Sequence, residues 1–337
     1  SDLSAPVFPD IPAMTQRTRI PDRRLSVAPM MGWTDRHCRY FLRLISPHIL
    51  LYTVMIATGA IVHGKKFHLL DFSDEEHPVA LQLGGSNPQD LALAASLGEK
   101  HGYDEINLNC GCPSDKVQEG KFGACLMAEP GLVADCIDAM KQKVGVPVTV
   151  KTRIGIDDRD DYGFLTDFVG TVAAKGCDVF IIHARKAFLQ GLSPAENRDI
   201  PPLRWEVAAK LKRDFPHLTI VLNGGIKTPA QAQEAIKTTD GAMIGREAYQ
   251  NPYMLALMAE DIFGDTVHTR AEIAERMFPY IERMMAKGVP LKDITRHMLG
   301  LYHGQPRARK WRQILSAEAH KDGASIDVVR EALDMTA

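Results

Sequence analysis

Several absences narrow this chain before any motif is considered. Cysteine is sparse, six in 337 residues at positions 38, 110, 112, 125, 136 and 177. That is too few and too scattered for a disulfide scaffold, and it points to a reducing, cytoplasmic setting. No apolar run approaches the ~20 residues that cross a bilayer, and the first residues lack the basic-then-apolar order of a secretory leader. An excess of one charge sign is missing too: 40 basic against 42 acidic residues leave a formal net charge of −2. A polyanionic partner would therefore have to be held by a local patch rather than a global field. No GxGxxG turn follows an early strand, which argues against a dinucleotide-binding open sheet. Solenoid-period repeats and low-complexity tracts are absent as well.

What is present is an ordinary globular balance, 45% apolar and 24% charged. Short Val/Ile/Leu-rich runs at 25–29, 49–53, 79–83, 105–109, 147–151, 179–183, 219–223 and 242–245 read as strands. Amphipathic stretches such as 88–101, 131–143, 163–175 and 228–237 lie between them. Continuous apolar strands alternating with helices predict a parallel sheet, and eight units predict an α/β (β/α)8 TIM barrel over residues 21–250. Residues 1–20, mixing Pro, Asp, Ser and Arg, are expected to form an N-terminal arm. Beyond residue 251 only helical spacing remains, at 251–262, 271–287, 294–301, 308–319 and 327–333, so 251–337 is expected to be a C-terminal all-helical domain.

Nearly every predicted strand ends in residues wasted in a core but suited to a site: Thr53, Gln82, Asn109, Lys151 with Arg153, His183 with Arg185, Asn223-Gly224-Gly225 and Gly245-Arg246. In a barrel all of these lie on the face where active sites are built. The glycines allow backbone N–H groups close to an anion and Arg246 adds charge, a phosphate signal at the last two strands. Lys151, Arg153, His183 and Arg185 form a cationic rim larger than a bare phosphate needs. A flavin would use it, since a lysine stabilises the negative charge of the reduced ring and Gln82 can bond its amide edge. A solvated lysine and a histidine that merely satisfies backbone groups are the plainer readings of Lys151 and His183. In Asn109-Cys110-Gly111-Cys112-Pro113-Ser114, a thiol can protonate a carbon held against it and Asn109 can orient a carbonyl or imide edge. Cys-Gly-Cys lacks a second ligand pair, so a metal site is not expected. Cys110 reads as packing.

At this point the sequence resembles the bacterial tRNA-dihydrouridine synthases, in particular their A-type branch. The resemblance rests on Ala28-Pro29-Met30, Trp33-Thr34-Asp35-Arg36, the run Glu76 to Leu83, and Gly102-Tyr103-Asp104-Glu105-Ile106-Asn107-Leu108-Asn109. It continues through Gly111-Cys112-Pro113-Ser114, Val150-Lys151-Thr152-Arg153-Ile154-Gly155, His183-Ala184-Arg185 and Asn223-Gly224-Gly225-Ile226. It implies FMN as cofactor and NADPH as electron donor. Cys112 would deliver a proton to C5 of a uracil and the reduced flavin a hydride from N5 to C6. Asn109 and Arg153, with Arg185 beside them, would position the base, and Lys151, His183 and Gln82 would hold the flavin ring. Asn223, Gly224, Gly225, Gly245 and Arg246 would hold the phosphate, and Pro29-Met30 would line the ring's other side. Val54 stands where the family commonly has Glu, and Cys110 places a second thiol near the first.

Residues 291–314 carry Lys292, Arg296, Arg307, Arg309, Lys310 and Arg312 against the single acid Asp293, interleaved with Tyr302 and Trp311. Such a patch suits a phosphate backbone, although a solvated helix face has the same composition. The resemblance implies tRNA as the partner, with D-loop uridines 20 and 20a as targets; no membrane or protein partner is implied. Two alternatives remain at this level: an FMN barrel dehydrogenase acting on a small pyrimidine, and a non-catalytic tRNA-binding protein.

Overall fold

The structure is a computed structural model that describes residues 20–337, so the expected arm at 1–20 lies outside the described residues except for Ile20. The predicted apolar runs are strands β1 (Leu25–Val27), β2 (Leu50–Tyr52), β4 (Val79–Gly84), β5 (Glu105–Cys110), β6 (Val148–Arg153), β7 (Val179–His183), β8 (Thr219–Asn223) and β9 (Gly241–Ile244). Each pairs in parallel with its neighbours, and β1–β9 and β2–β4 pairings close the ring. The result is a (β/α)8 barrel. A two-residue strand, β3 (Ile56–Ala57), pairs with the end of β4; it is too short for periodicity to show it.

Helices between the strands begin where capping chemistry directs. Asp35 accepts from the backbone N–H groups of His37 and Cys38 to open α1 (Arg36–Ile45). Asn87 followed by Pro88 opens the helix Pro88–His101, and Thr228 followed by Pro229 opens Pro229–Thr238. Gly102, at φ +102°, closes the first of these in the left-handed region that glycine adopts without strain.

Two buried regions result. The larger lies between the strands and the surrounding helices and continues through Met258, Ala274, Tyr280 and Trp311 of the C-terminal helices. The smaller fills part of the barrel interior with Ala28, Leu50, Tyr52, Ala80, Ile181, Val221 and Met243. The rest of the interior, on β4, β5 and β6, is polar yet buried: Gln82, Glu105, Asn107 and Thr149.

The segment expected as one helix over 271–287 is two, Arg270–Arg276 and Phe278–Ala286. Pro279 lacks an N–H and its ring opposes the carbonyl four residues earlier, so the chain restarts a helix with proline in its first turn. The stretch expected as a helix at 294–301 is a short helix, Leu291–Thr295, running into a 3-10 turn at Arg296–Met298. That turn is tied to the barrel. His297 and Arg296 reach Asp35 at 3.0 and 3.1 Å, Arg296 donates to the Gly32 carbonyl at 2.8 Å, and Trp33 stacks on Tyr249 with ring centres 4.3 Å apart. Burial opposes charge on Asp35, but the hydrogen bond and charge of His297 and the Cys38 N–H together pull its carboxyl down to about 2.

Candidate active site at the barrel mouth

Strand register decides which predicted residues meet. Asn109 pairs with Lys151, Arg153 with His183, and His183 with Asn223, across four neighbouring strands. Side chains alternate along a strand, so Asn109, Lys151 and Arg153 share the inward parity of Asn107 and Thr149, whose side chains bond to each other inside the barrel at 2.9 Å. Gln82, Asn109, Lys151, Arg153, His183 and Asn223 therefore gather at the C-terminal mouth.

The Cys112 loop is held from both sides. Asn109 Oδ1 accepts the N–H groups of Gly111 and Cys112 at 3.0 and 2.9 Å. The Ala124 N–H donates to the Cys112 carbonyl at 2.8 Å. This approach needs glycine at 123: its φ is +77°, and a Cβ there would stand 2.5 Å from the Cys112 oxygen. The Cys112 thiol is half-buried, with Ser114 Oγ 3.6 Å away. Cys110 points the other way into the core; burial and the neighbouring Cys136, Cys177 and Cys125 push its thiol well above the usual range. Of the two thiols, Cys112 is the one the mouth can use.

Charge at the mouth is one-sided. Burial, reinforced by Arg153, brings Lys151 down to about 8, with Cys112 acting in the opposite sense. Burial brings Arg153 down to about 10, Cys112 opposing and Arg185 and Arg198 adding to the fall. His183 is driven well below its ordinary range by burial and by Arg153, Lys151, Arg185 and Arg246, so the imidazole is neutral at pH 7. Arg153 is also fixed in place, donating to the carbonyls of Gly111 at 3.2 Å and Asn197 at 2.7 Å. Arg185 donates to the Pro201 carbonyl.

Beside this cluster, Gly224 and Gly225 adopt φ of +119° and +72°, and Trp205 Nε1 donates to the Gly224 carbonyl at 2.7 Å. Asn223 Nδ2 donates to the Met243 carbonyl at 3.1 Å. A Cβ at Gly245 would enter open space. Arg246 is half-exposed and engages Asp199 at 2.8 Å. Next to Gly245, at the end of β1, which pairs with β9, Pro29 and Met30 are half-buried. The Met30 carbonyl is folded back onto the N–H groups of Trp33 and Thr34 at 3.1 and 3.0 Å, and the Met30 N–H onto Thr34 Oγ1 at 3.0 Å.

The basic segment divides. Arg309, Lys310 and Arg312 stand exposed on the helix Ala308–Glu318. Arg296 is committed to Gly32 and Asp35, and Arg307 reaches the carbonyls of Met335 and Ala337 at 3.2 and 3.1 Å. Trp311 is fully buried, donating to the Met298 carbonyl at 2.9 Å, and Tyr302 is 8% exposed. These rings are core, unavailable for stacking on a base. The buried polar residues Glu105, Asn107 and Thr149 carry no mark in the sequence as strand ends. Their signal is the alternation of polar with apolar residues in Glu105-Ile106-Asn107-Leu108-Asn109 and in Val148-Thr149-Val150-Lys151, inside strands whose two faces are both largely buried.

A (β/α)8 barrel with a thiol and a concentrated cationic cluster at its C-terminal mouth has the form of a barrel enzyme whose mouth suits an anionic ligand. Comparison with known proteins gives the family. The family model described as dihydrouridine synthase matches residues 26–336, and this chain belongs to that family. A tRNA-dihydrouridine(20/20a) synthase of Vibrio parahaemolyticus is 61% identical over 313 residues, covering 92% of this chain and 96% of its own. Proteins of the same name from Salmonella typhi and Escherichia coli K12 are each 59% identical, covering 96% of this chain and 98% and 95% of theirs. A solved complex of 2-naphthoyl-CoA reductase with 2-naphthoyl-CoA aligns with a TM-score of 0.54 at 13% identity, covering 75% of this chain and 52% of that one; it shares the fold alone.

Proposed function

We propose that this protein reduces uridine to 5,6-dihydrouridine in the D-loop of tRNA, at positions 20 and 20a, using FMN and NADPH. The observation that carries the reading is the half-buried Cys112, fixed at both its N–H and its carbonyl beside the uncompensated cations Lys151 and Arg153. The residues fit FMN: burial, and after it the surrounding cations, depresses Lys151 and His183, so the mouth holds buried positive charge short of an anion, and the open space at Gly245 suits a phosphate. Lys151, His183 and Gln82 would hold the ring, and Asn223, Gly224, Gly225, Gly245 and Arg246 the phosphate. FMN, when bound, supplies the hydride for C6 of the uracil.

The chain's own residues do the rest. Asn109 keeps one Nδ2 hydrogen for a carbonyl oxygen of the base, and Arg153 and Arg185 supply charge beside it. The Cys112 thiol gives its proton to C5, completing a net addition of hydrogen across the 5,6 double bond. Arg309, Lys310 and Arg312, with Lys292, would face the tRNA backbone, while Arg296 and Arg307 of the same segment hold protein partners instead, and residues 251–337 would act as the tRNA-binding part of a cytoplasmic enzyme. Bringing the base to the mouth requires flipping it from its stack, at about a few kcal/mol and least in a loop.

Incubating the purified protein with FMN, NADPH and unmodified tRNA should produce dihydrouridine by mass spectrometry, with free uridine and orotate poor substrates. Robust turnover of either small molecule would instead identify a small-pyrimidine dehydrogenase.

A further inference from the structure

Inside the barrel a single file of side chains runs from floor to mouth. At the floor Glu105 is ion-paired with Arg23, and its Oε2 accepts from Tyr52 at 2.6 Å and Thr149 at 2.9 Å. Thr149 Oγ1 accepts Asn107 Nδ2 at 2.9 Å, Asn107 Oδ1 accepts Gln82 Nε2 at 2.9 Å, and Gln82 Oε1 accepts Asn109 Nδ2 at 3.1 Å. Asn109 Oδ1 then takes the N–H groups of Gly111 and Cys112. Glu105, Asn107 and Thr149 are 0% exposed and Gln82 is 1% exposed, so water cannot substitute for any link among them.

Chemistry sets the direction of this column. A carboxylate has only acceptors, so Thr149 must donate to it and is left accepting from Asn107. Backbone N–H groups have only donors, so Asn109 must turn its oxygen toward Cys112 and its nitrogen toward Gln82. An acceptor at the floor and donors at the mouth force one sense on the three carboxamides between them. Every link agrees, and none can flip without leaving a buried polar group unpaired, at about 1–3 kcal/mol. Two consequences follow at the mouth. Both lone pairs of Asn109 Oδ1 are used, so Asn109 can only donate to a ligand. Gln82 is held with its nitrogen toward Asn107 and its oxygen toward Asn109.

We propose that Glu105, Thr149 and Asn107 are positioning residues, which set through the Asn107–Gln82 hydrogen bond the orientation Gln82 presents to the bound flavin. Its functional consequence rests on the flavin reading above. None of the three touches the cofactor; they act through Gln82.

The test pairs two substitutions at one buried position. Thr149→Val keeps the volume and removes the hydroxyl; Thr149→Ser keeps the hydroxyl and removes a methyl group. In FMN-loaded protein, Thr149→Val should weaken FMN by roughly fivefold, the equivalent of one lost hydrogen bond, and shift the visible flavin band. Thr149→Ser should bind FMN and absorb as wild type does, even though it is the variant that opens a cavity. A Thr149→Val protein identical to wild type in both readouts, or a Thr149→Ser protein equally impaired, would overturn the proposal. If the wild type itself binds no FMN, the flavin reading fails, and the column is judged in the FMN-free protein by side-chain carboxamide NMR. The Gln82 Nε2 hydrogens should then exchange at least about tenfold faster in Thr149→Val than in wild type or Thr149→Ser, and equal rates in all three would refute it.

Discussion

Replacing Lys151 by methionine removes a charge that the folded protein holds at a disadvantage. Burial and Arg153 bring the ammonium from 10.5 to about 8, and a fall of that size corresponds to about 3 kcal/mol against the charged form. Lys151 is only half-buried and solvent screens part of this, so about 1–2 kcal/mol is expected. The sign is that of a depressed base: the penalty is absent above pH 10.5, where both states are neutral, grows as pH falls towards about 8, and is full below it. Lys151→Met should therefore melt roughly 2–5 °C higher than wild type in FMN-free protein at pH 7, and the gap should close towards pH 10.5. The same variant should bind FMN more weakly, because the lost charge is the one an anionic cofactor would use. Wild-type affinity should fall by up to about tenfold per pH unit above pH 8, while the variant stays flat. Calorimetric melts with and without FMN at pH 7 and pH 10 read all of this. A variant no more stable than wild type at pH 7 would refute the picture of an uncompensated cationic mouth.

Cys112→Ala should nearly abolish dihydrouridine formation while NADPH still bleaches the flavin, and Cys110→Ala should leave turnover intact; the reverse pattern would reassign the proton donor. Gly123→Ala forces a side chain onto the Cys112 carbonyl in a left-handed backbone. It should lower stability by about 2 kcal/mol or more and slow turnover beyond that loss, and an active, fully stable variant would show that the loop is not held as described. Exchanging Arg309, Lys310 and Arg312 together for alanine should weaken tRNA binding across sequences and reduce its salt dependence by about two counterions, while FMN affinity stays unchanged. Filter binding at several salt concentrations checks this.

The barrel was legible in the sequence because most of its strands are short apolar runs that end in conspicuous polar residues, as at Lys151, His183 and Asn223. The paired strand register then brings those ends together. Less legible was anything that depends on which way a side chain faces. Tyr302 and Trp311 are interleaved with basic residues in the sequence, yet both are core, Trp311 on the inner face of the helix Ala308–Glu318 and Tyr302 in the turn that precedes it. Arg296 reads as one more cation of the patch, but its partners, Gly32 and Asp35, lie more than 260 residues away in the chain, a distance no local pattern reports. The long helix expected over 271–287 failed at Pro279, where the apolar spacing continues across a residue that cannot continue the helix. Asn107 and Thr149 are each unremarkable alone; only the parallel pairing of β5 with β6 makes them neighbours.

Mapping dihydrouridine in tRNA from cells lacking this protein tests the central claim most directly. Positions 20 and 20a should lose dihydrouridine, the other dihydrouridines should remain, and wild-type protein but not Cys112→Ala should restore the lost ones. Unchanged modification at 20 and 20a, or full restoration by the Cys112→Ala protein, would contradict the account.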